Sequence, residues 1–251
     1  MKMITLVSYD KVAVMTLNRG VTNPLNLELV NEIREALERV KSDATATGLV
    51  LTGSNEKFFS IGFDIPHLFD LSREDVTVFY RAFNRACMDL FTLPKPTVAA
   101  IGGHAIAGGC ILTLCCDYRV IADGRKLMGL NEIKLGVPVP YPADCILRSL
   151  VGVRWASEIM ETGEFYHPGE SLEMGMVDRV MPLGEVLPMA MEKARHLGSM
   201  PHEAYEMIKR SRTEMVEDEV LARWEEKERL FLDCWYSDEA RRRLREAMEK
   251  F

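Results

Sequence analysis

The sequence lacks the cysteine and histidine spacings that usually mark a bound metal. None of its six cysteines forms a CxxC pair, and its five histidines include no HExxH motif. Several cysteines stand inside apolar runs, as Cys115 and Cys116 do. Buried free thiols are typical of proteins in a reducing compartment. We therefore expect no metal site and thiols that are buried and unpaired.

Excess positive charge and long hydrophobic runs are also absent. The 31 Lys and Arg residues are outnumbered by 38 Asp and Glu residues, for a formal net charge of -7. Because nucleic-acid binders are normally basic, we expect no nucleic-acid partner, although local basic side chains can still contact an anionic ligand. No apolar run reaches the roughly 18 residues that a membrane span needs, and residues 1–7 do not resemble a signal peptide. We expect a cytoplasmic protein with no membrane partner; an organellar one would need a transit peptide ahead of this sequence.

Short β segments alternate with helices over the first two thirds of the chain. Hydrophobic residues make up 47% and charged residues 27% of its 251 residues, which fits a folded core in one large domain or a domain with a helical appendage. The clearest strand candidates are Val12–Leu17, Gly48–Gly53, Thr97–Ile101 and Tyr118–Ala122. Apolar residues recur at helical spacing between residues 29 and 40, and Asn23 or Asn26 could cap that helix. The alternation predicts an α/β layered fold.

The last third of the chain, from about residue 185 to 251, is nearly all helical in pattern. Pro201 is predicted to separate two of its helices. An apolar stripe follows, formed by Trp224, Leu230, Phe231 and Trp235. Such a stripe packs either on the core of its own domain or on another subunit, and the pattern alone leaves both open.

Two glycine-containing turns, at residues 59–64 and 107–110, follow buried strands. Glycine lets the backbone turn tightly and approach a ligand closely. Two strand ends that each present an N–H can converge on one oxygen and form an oxyanion hole. Taken alone, such turns are more often structural. A dinucleotide-binding GxGxxG is excluded because its middle position is Ala105, and neither a P-loop ending nor a GxSxG nucleophile elbow occurs.

Four segments together resemble the signatures of the enoyl-CoA hydratase/isomerase (crotonase) superfamily. They are NRGVTNPLN at 18–26, FFSIGFDI at 58–65, GGHAIAGGC at 102–110 followed by CDYR at 116–119, and GLNEIKLG at 129–136. They stand in the order of that family and cover nearly the whole chain. The resemblance implies an α/β fold with a crotonase-like ββα spiral core over residues 1–184 and a C-terminal helical trimerisation region over 185–251. Such proteins form homotrimers or dimers of trimers, in which the tail covers its own active site or that of a neighbour.

The resemblance also implies which residues bind the substrate, an acyl-CoA thioester. The backbone N–H groups of Phe63 and Gly108 would bind the thioester carbonyl and stabilise its enolate. The expected substrate-binding residues are Pro24, Asn26, Ser60, Ile61, Asp64, Ile65, Pro66 and Ile111. Asp64 could instead cap the following helix. Coenzyme A is part of the substrate, so no separate cofactor is expected.

Hydratases of this family resemble one another in using two glutamates, and only one of these positions is acidic here. The first position is Ile111 and the second is Glu132. Hydration needs a water that is held and deprotonated, whereas a 1,3 proton shift needs one base. Ile111 together with the Gly-Leu-Asn-Glu segment resembles the Δ3,Δ2-enoyl-CoA isomerase branch. Glu132 would then be the acid/base, and Ile111 would help to exclude water and so raise the basicity of Glu132.

Several alternatives stay open at this stage. The chain could be another crotonase-type enzyme, such as an enoyl-CoA hydratase, an acyl-CoA decarboxylase or a hydrolase, or a non-catalytic acyl-CoA-binding protein. Asp117 and Asp123 could supplement Glu132, although we expect structural roles for both. His104 is expected to make a local hydrogen bond, and the proline-rich residues 137–142 are expected to shape the acyl pocket.

Overall fold

The computed structural model describes residues 2–249, in which strands and helices alternate. The strands are β1 (Ile4–Tyr9), β2 (Val12–Leu17), β3 (Gly48–Gly53), β4 (Phe58–Ser60), β5 (Thr97–Ile101), β6 (His104–Ile106), β7 (Tyr118–Ala122), β8 (Met128–Gly129) and β9 (Arg179–Met181). The helices are α1 (Leu27–Ser42), α2 (Ile65–Phe69), α3 (Arg73–Phe91), α4 (Gly108–Leu114), α5 (Tyr141–Thr162), α6 (Pro168–Glu173), α7 (Leu183–Gly198), α8 (His202–Trp235) and α9 (Asp238–Met248), with a 3₁₀ helix at Glu132–Leu135.

Each successive turn of the chain adds one strand to a large sheet and one strand to a small sheet. The large sheet has the order β1-β2-β3-β5-β7-β9, and the small sheet has the order β4-β6-β8. Only the β1–β2 pair is antiparallel within the described part of the chain. The pairs β3–β4, β5–β6 and β7–β8 therefore form repeated ββα turns. This arrangement confirms the predicted α/β class and the crotonase-like spiral.

The central strands of the large sheet are buried on both faces, which explains why they are almost wholly apolar. Val50 and Val98 pack against α7, where Ala190 and Ala194 allow a close approach. The alternate residues of the same strands, such as Leu51, belong to the main core on the other face. The period of two along each strand thus divides its side chains between two apolar layers.

The residues before α1 form a rigid loop. Asn26 accepts a hydrogen bond from the Leu29 N–H at 3.0 Å and is therefore the cap of α1. Asn23, the other candidate, has a positive φ of 46°. Its side chain instead accepts from the Arg19 N–H at 2.7 Å and donates to the Phe59 carbonyl at 3.0 Å. The loop is thereby tied to β4.

The long helix α8 lies against α3 and α5 of its own chain. The break predicted at Pro201 is confirmed, since α7 ends at Gly198 and α8 begins at His202. The Phe231 ring stacks on Tyr80 with centroids 4.0 Å apart, and Trp235 is 2% exposed. Leu230 of the predicted stripe does not pack on this core and is 43% exposed, because neighbouring helix positions point about 100° apart.

A buried ion pair fixes the first half of α8. The Asp117 carboxylate lies 2.7 Å from the Lys209 ammonium and also pairs with Arg212. It accepts the Thr97 N–H at 2.8 Å and the Tyr205 hydroxyl at 3.2 Å. Burial opposes the charge on Asp117, but the two cations hold its pKa below the usual value. Asp117 therefore has the structural role that we expected.

Candidate active site

The carboxyl ends of the three small-sheet strands meet at one edge, and two glycine turns lie there. Gly62 has a φ of +92°, which favours glycine. A Cβ built on Gly62 would stand 2.8 Å from the Gly108 nitrogen, and one on Gly109 would stand 2.4 Å from the Ser60 oxygen. The two turns can come this close only because side chains are missing at both positions.

Two backbone N–H groups at this edge have no acceptor within residues 2–249. The loop N–H groups around them are paired, including Asp64 to the Leu25 carbonyl at 2.9 Å and Ala107 to the Gly129 carbonyl at 2.8 Å. The N–H groups of Phe63 and Gly108 make no such bond in the described chain. Gly108 is the first residue of α4, so its N–H has no partner inside the helix. Both residues line the same cavity.

Strained backbone precedes Gly108. Ala107 has φ 47° and ψ −121°, a conformation that a residue with a Cβ rarely adopts. Its amide is held by Gly129, and its own carbonyl accepts the Ile111 N–H at 2.9 Å. These two bonds fix the peptide that carries the Gly108 nitrogen, and strain of this kind is often found at functional sites.

Glu132 contributes a buried carboxyl group to the same cavity. It begins the 3₁₀ helix that follows β8, and Gly136 ends that helix in the left-handed conformation. Glu132 is 6% exposed, and its Oε2 has no hydrogen-bond partner within the described chain. Burial raises the pKa of Glu132 to about 7, against a smaller opposing effect of its own backbone N–H. Such a carboxyl group can both take up and release a proton near neutral pH.

The cavity between these groups is about 520 Å³ in volume and mostly apolar. Its lining residues are Thr22, Pro24, Phe58, Ile61, Phe63, Asp64, Ile65, Pro66, His104, Ile106, Ala107, Gly108, Leu127, Asn131, Glu132, Leu135, Val137, Phe165, Phe231, Trp235 and Ala247. The size falls within the roughly 300–1,000 Å³ of small-molecule pockets. The Phe63 ring is fixed edge-on against Phe79 and Phe83, each with centroids at 4.8 Å.

The lining residues form the wall of the cavity, and they include most of the residues that the sequence assigned to the site. Besides Glu132, Phe63 and Gly108, they are Pro24, Ile61, Asp64, Ile65 and Pro66. Asn26, Ser60 and Ile111 lie behind the wall instead. Asn26 caps α1, Ser60 donates to the Asn23 carbonyl at 2.8 Å and accepts from Gly62, and Ile111 is fully buried within α4.

Asp64 has two structural functions at the rim of the cavity. Its carboxylate accepts the His67 N–H at 3.2 Å, so it caps α2 as one of our expectations stated. It also pairs with Arg19 at 2.7 Å, and Arg19 donates to the Pro24 carbonyl at 2.7 Å. Asp64 therefore joins two segments of the wall and is engaged in an ion pair.

The other candidate acids do not line the cavity. Asp117 lies in the buried ion pair under α8, and Asp123 is exposed. His104 does line the cavity, and its Nδ1 accepts the Leu127 N–H at 3.1 Å, which is the local hydrogen bond that we expected. Burial, together with nearby lysines, lowers the pKa of His104. Of the two carboxyl groups in the wall, Asp64 is in an ion pair and Glu132 is not, within residues 2–249.

The sequence did not assign several wall residues that come from distant parts of the chain. Phe165 follows α5 and carries no motif, so nothing in the sequence indicates its position. Phe231, Trp235 and Ala247 belong to α8 and α9, which cover the cavity of their own chain. The apolar stripe was the available signal for Phe231 and Trp235, although it did not specify what they cover.

The cysteines and the other possible metal ligands form no second candidate site in the described chain. Five cysteines are buried and unpaired as expected, whereas Cys234 is exposed. Within residues 2–249, no three His, Cys, Asp or Glu side chains are grouped so that they could hold a metal ion. Over the same residues, no helix has the length and apolar character to cross a membrane.

Comparisons with known proteins extend over almost the whole chain. Residues 8–251 match the family model described as enoyl-CoA hydratase/isomerase. Mitochondrial enoyl-CoA delta isomerase 1 of Mus musculus is 30% identical over 240 residues, or 95% of this chain and 83% of that protein. Crotonyl-CoA hydratase of Syntrophomonas wolfei is also 30% identical, over 86% of this chain and 84% of that protein. The crystal structure of human mitochondrial delta3-delta2-enoyl-CoA isomerase superposes with a TM-score of 0.95, at 26% identity, over 99% of this chain and 98% of that one.

Proposed function

Because the chain belongs to the enoyl-CoA hydratase/isomerase family, we propose that it converts Δ3-enoyl-CoA into Δ2-enoyl-CoA with Glu132 as its single acid/base. The observation that carries this proposal is the composition of the wall. Two N–H groups without acceptors and one carboxyl group without an ion pair line the same cavity in the described chain. Asp64, the other carboxylate in the wall, is held by Arg19.

The reaction follows from these three groups. The thioester oxygen accepts hydrogen bonds from the Phe63 and Gly108 N–H groups, which acidifies the C2–H bond. The Glu132 carboxylate removes a proton from C2, and the electron pair of that bond delocalises into the thioester and the C3=C4 double bond. The protonated Glu132 then returns the proton to C4, leaving the double bond between C2 and C3. Each donor of such an oxyanion hole typically contributes about 10²–10³ in rate.

The raised pKa of Glu132 suits this exchange. A carboxylate at its usual pKa would be a weaker base toward the C2 proton, whereas a pKa of about 7 makes Glu132 a stronger base that still releases the proton to C4. The cause is burial, to which the apolar wall contributes. Ile111 acts from behind this wall, since it is fully buried and does not line the cavity.

Hydration of a 2-enoyl-CoA is the second candidate, favoured by the hydratase relatives at similar identity. The wall argues against it, because a second free carboxyl group is needed to orient the water while the proton is delivered, and Asp64 is held by Arg19. Simple acyl-CoA binding leaves the uncommitted Glu132 unexplained.

An absorbance assay distinguishes these functions. The purified protein is given a 3-enoyl-CoA and, separately, a 2-enoyl-CoA, with Glu132→Gln alongside. The proposal predicts that the conjugated 2-enoyl thioester forms from the first substrate and that the variant loses this activity. Hydration of the second substrate at a comparable rate would show that the single-base account is wrong. If neither substrate reacts, a coenzyme A ester titration tests for simple binding.

We further propose that the protein is a homotrimer or a dimer of trimers. Met207, Ile208 and Met215 on the outer face of α8 are 70%, 70% and 78% exposed. Clustered exposed apolar side chains are typical of subunit interfaces. Light scattering after size exclusion is expected to give a trimeric or hexameric mass, and a stable monomer would contradict the proposal. The cytoplasmic location stays a prediction; the mouse relative is by its name mitochondrial.

A further inference from the structure

Asn131, the residue before Glu132, has a side chain that the fold does not use. It stands at the start of the 3₁₀ helix, but its side chain makes no capping hydrogen bond. Only its backbone carbonyl is engaged there, accepting the Lys134 N–H at 3.0 Å. Its Oδ1 is buried and has no partner within residues 2–249, and its Nδ2 donates no hydrogen bond there either. A buried amide oxygen without a partner destabilises a protein, so packing and capping do not explain this asparagine.

The small sheet brings Asn131 to the same cavity as the two N–H groups. Ala105 of the middle strand pairs with Ser60 on one side and with Met128 on the other. Phe63, Gly108 and Asn131 each follow shortly after one of these three parallel strands, and so they come from the same edge of the sheet. All three residues line the cavity.

The Asn131 side chain makes no hydrogen bond to Glu132 within residues 2–249. Burial is the main cause of the raised pKa of Glu132. Two other polar side chains of the wall do have partners, since Asp64 pairs with Arg19 and His104 accepts from Leu127. The Asn131 carboxamide instead lines the cavity with no partner in the described chain, and it is available to a ligand.

We propose that the Asn131 carboxamide donates, through Nδ2, a third hydrogen bond to the reacting acyl thioester, beside the N–H groups of Phe63 and Gly108. This inference rests on the proposed function, because the charge that Asn131 meets is that of the enolate. The hydrogen bond strengthens as negative charge develops on the thioester. Asn131 therefore stabilises the transition state more than it stabilises the bound substrate.

Two ligands separate these contributions. Butanoyl-CoA binds as a neutral thioester, whereas acetoacetyl-CoA ionises to an enolate that is followed by its ultraviolet absorbance. Asn131→Ala is expected to bind butanoyl-CoA within about threefold of the parent, to bind the enolate at least about tenfold more weakly, and to lose about 10² in kcat. Asn131→Asp, which keeps the shape but only accepts hydrogen bonds, should lose more. Asn31→Ala, on the exposed face of α1, is the matched control and should behave as the parent.

Each other outcome overturns the inference. Equal weakening of both ligands would assign Asn131 to general binding or to folding, and an unchanged enolate affinity would remove it from the site. The unfolding midpoint of Asn131→Ala, expected at or above that of the parent, checks the fold independently. If the parent isomerises 3-enoyl-CoA and Asn131→Ala matches it, only this inference fails. If the parent binds neither ligand, the proposed function fails and this inference fails with it.

Discussion

Gly62 and Gly108 approach so closely that a Cβ on Gly62 would stand 2.8 Å from the Gly108 nitrogen. Gly62 immediately precedes Phe63, and its φ of +92° sets the direction in which Phe63 follows. The spacing of the two N–H groups that line the cavity therefore depends on the missing side chain at residue 62. Any larger residue there must move one turn or the other.

Gly62→Ala is expected to separate the two N–H groups and to strain the backbone. Alanine is unfavourable at a positive φ, and the clash is with backbone atoms that cannot turn aside. We expect a loss of more than about 1 kcal/mol in unfolding free energy and a fall of about 10² or more in isomerase kcat. Urea unfolding and the absorbance assay measure the two effects.

Gly184→Ala is the control for that substitution. Gly184 lies in α7, and an added Cβ there meets nothing within 4 Å. Alanine is favoured over glycine in a helix by about 1 kcal/mol, so this variant should be as stable as the parent or more stable, with full activity. If Gly62→Ala were equally harmless, the close approach of the two turns would have no functional role.

The catalytic activity should rise with pH through the pKa of Glu132. In the free enzyme Glu132 must be ionised to accept the C2 proton, and burial raises its pKa to about 7. The kcat/KM for a 3-enoyl-CoA is therefore expected to fall tenfold per pH unit well below pH 7 and to level off above it. A profile that is flat from pH 5 to 9 would exclude Glu132 as the base, and stopped-flow absorbance in overlapping buffers measures it.

The raised pKa of Glu132 also predicts that the free energy of unfolding decreases as pH rises. The unfolded chain loses the Glu132 proton near the ordinary value of 4.5, whereas the folded chain keeps it until about 7. The stabilisation from keeping the proton is therefore fully present below about pH 4.5 and is lost as pH rises to about 7. The shift corresponds to at most about 3 kcal/mol. Glu132→Gln should remove this dependence and exceed the parent in urea stability at pH 8 but not at pH 5.

Asp117→Asn should destabilise the protein without altering the chemistry of the site. The substitution leaves the Lys209 ammonium, 3% exposed, without its anion, and an unpaired buried charge costs about 3–5 kcal/mol. Lys209→Met in the same chain should recover most of this loss. Asp123→Asn, at an exposed position, should change the unfolding free energy by less than about 0.5 kcal/mol. An equally small effect of Asp117→Asn would show that the ion pair does not hold α8.

The parts of the molecule that the sequence predicted are those governed by local rules. The alternating strands and helices, a cap at Asn23 or Asn26 and the break at Pro201 each follow from spacing or from one residue's backbone chemistry. The structure confirms the alternation and the break, and it selects Asn26 as the cap. The glycine turns and Glu132 were located through the motif segments, and they lie at one cavity.

The parts that the sequence missed depend on long-range packing. Amphipathic spacing shows that Phe231 and Trp235 are buried but does not show which surface they cover. Phe165 reaches the cavity because Met128 of β8 pairs with Tyr166. No local sequence pattern predicts this contact. Ile111 was expected to line the pocket, but α4 turns it into the core behind the wall.

The central claim is that one base moves one proton from C2 to C4. The most direct test is to convert a 3-enoyl-CoA carrying deuterium at C2, in ordinary water, and to locate the label in the first product by mass spectrometry and NMR. The account predicts a 2-enoyl-CoA with deuterium at C4, since a buried Glu132 returns the atom that it removed. A product with no deuterium at C4 from the start of the reaction, or a 3-hydroxyacyl-CoA as the main product, would contradict the account.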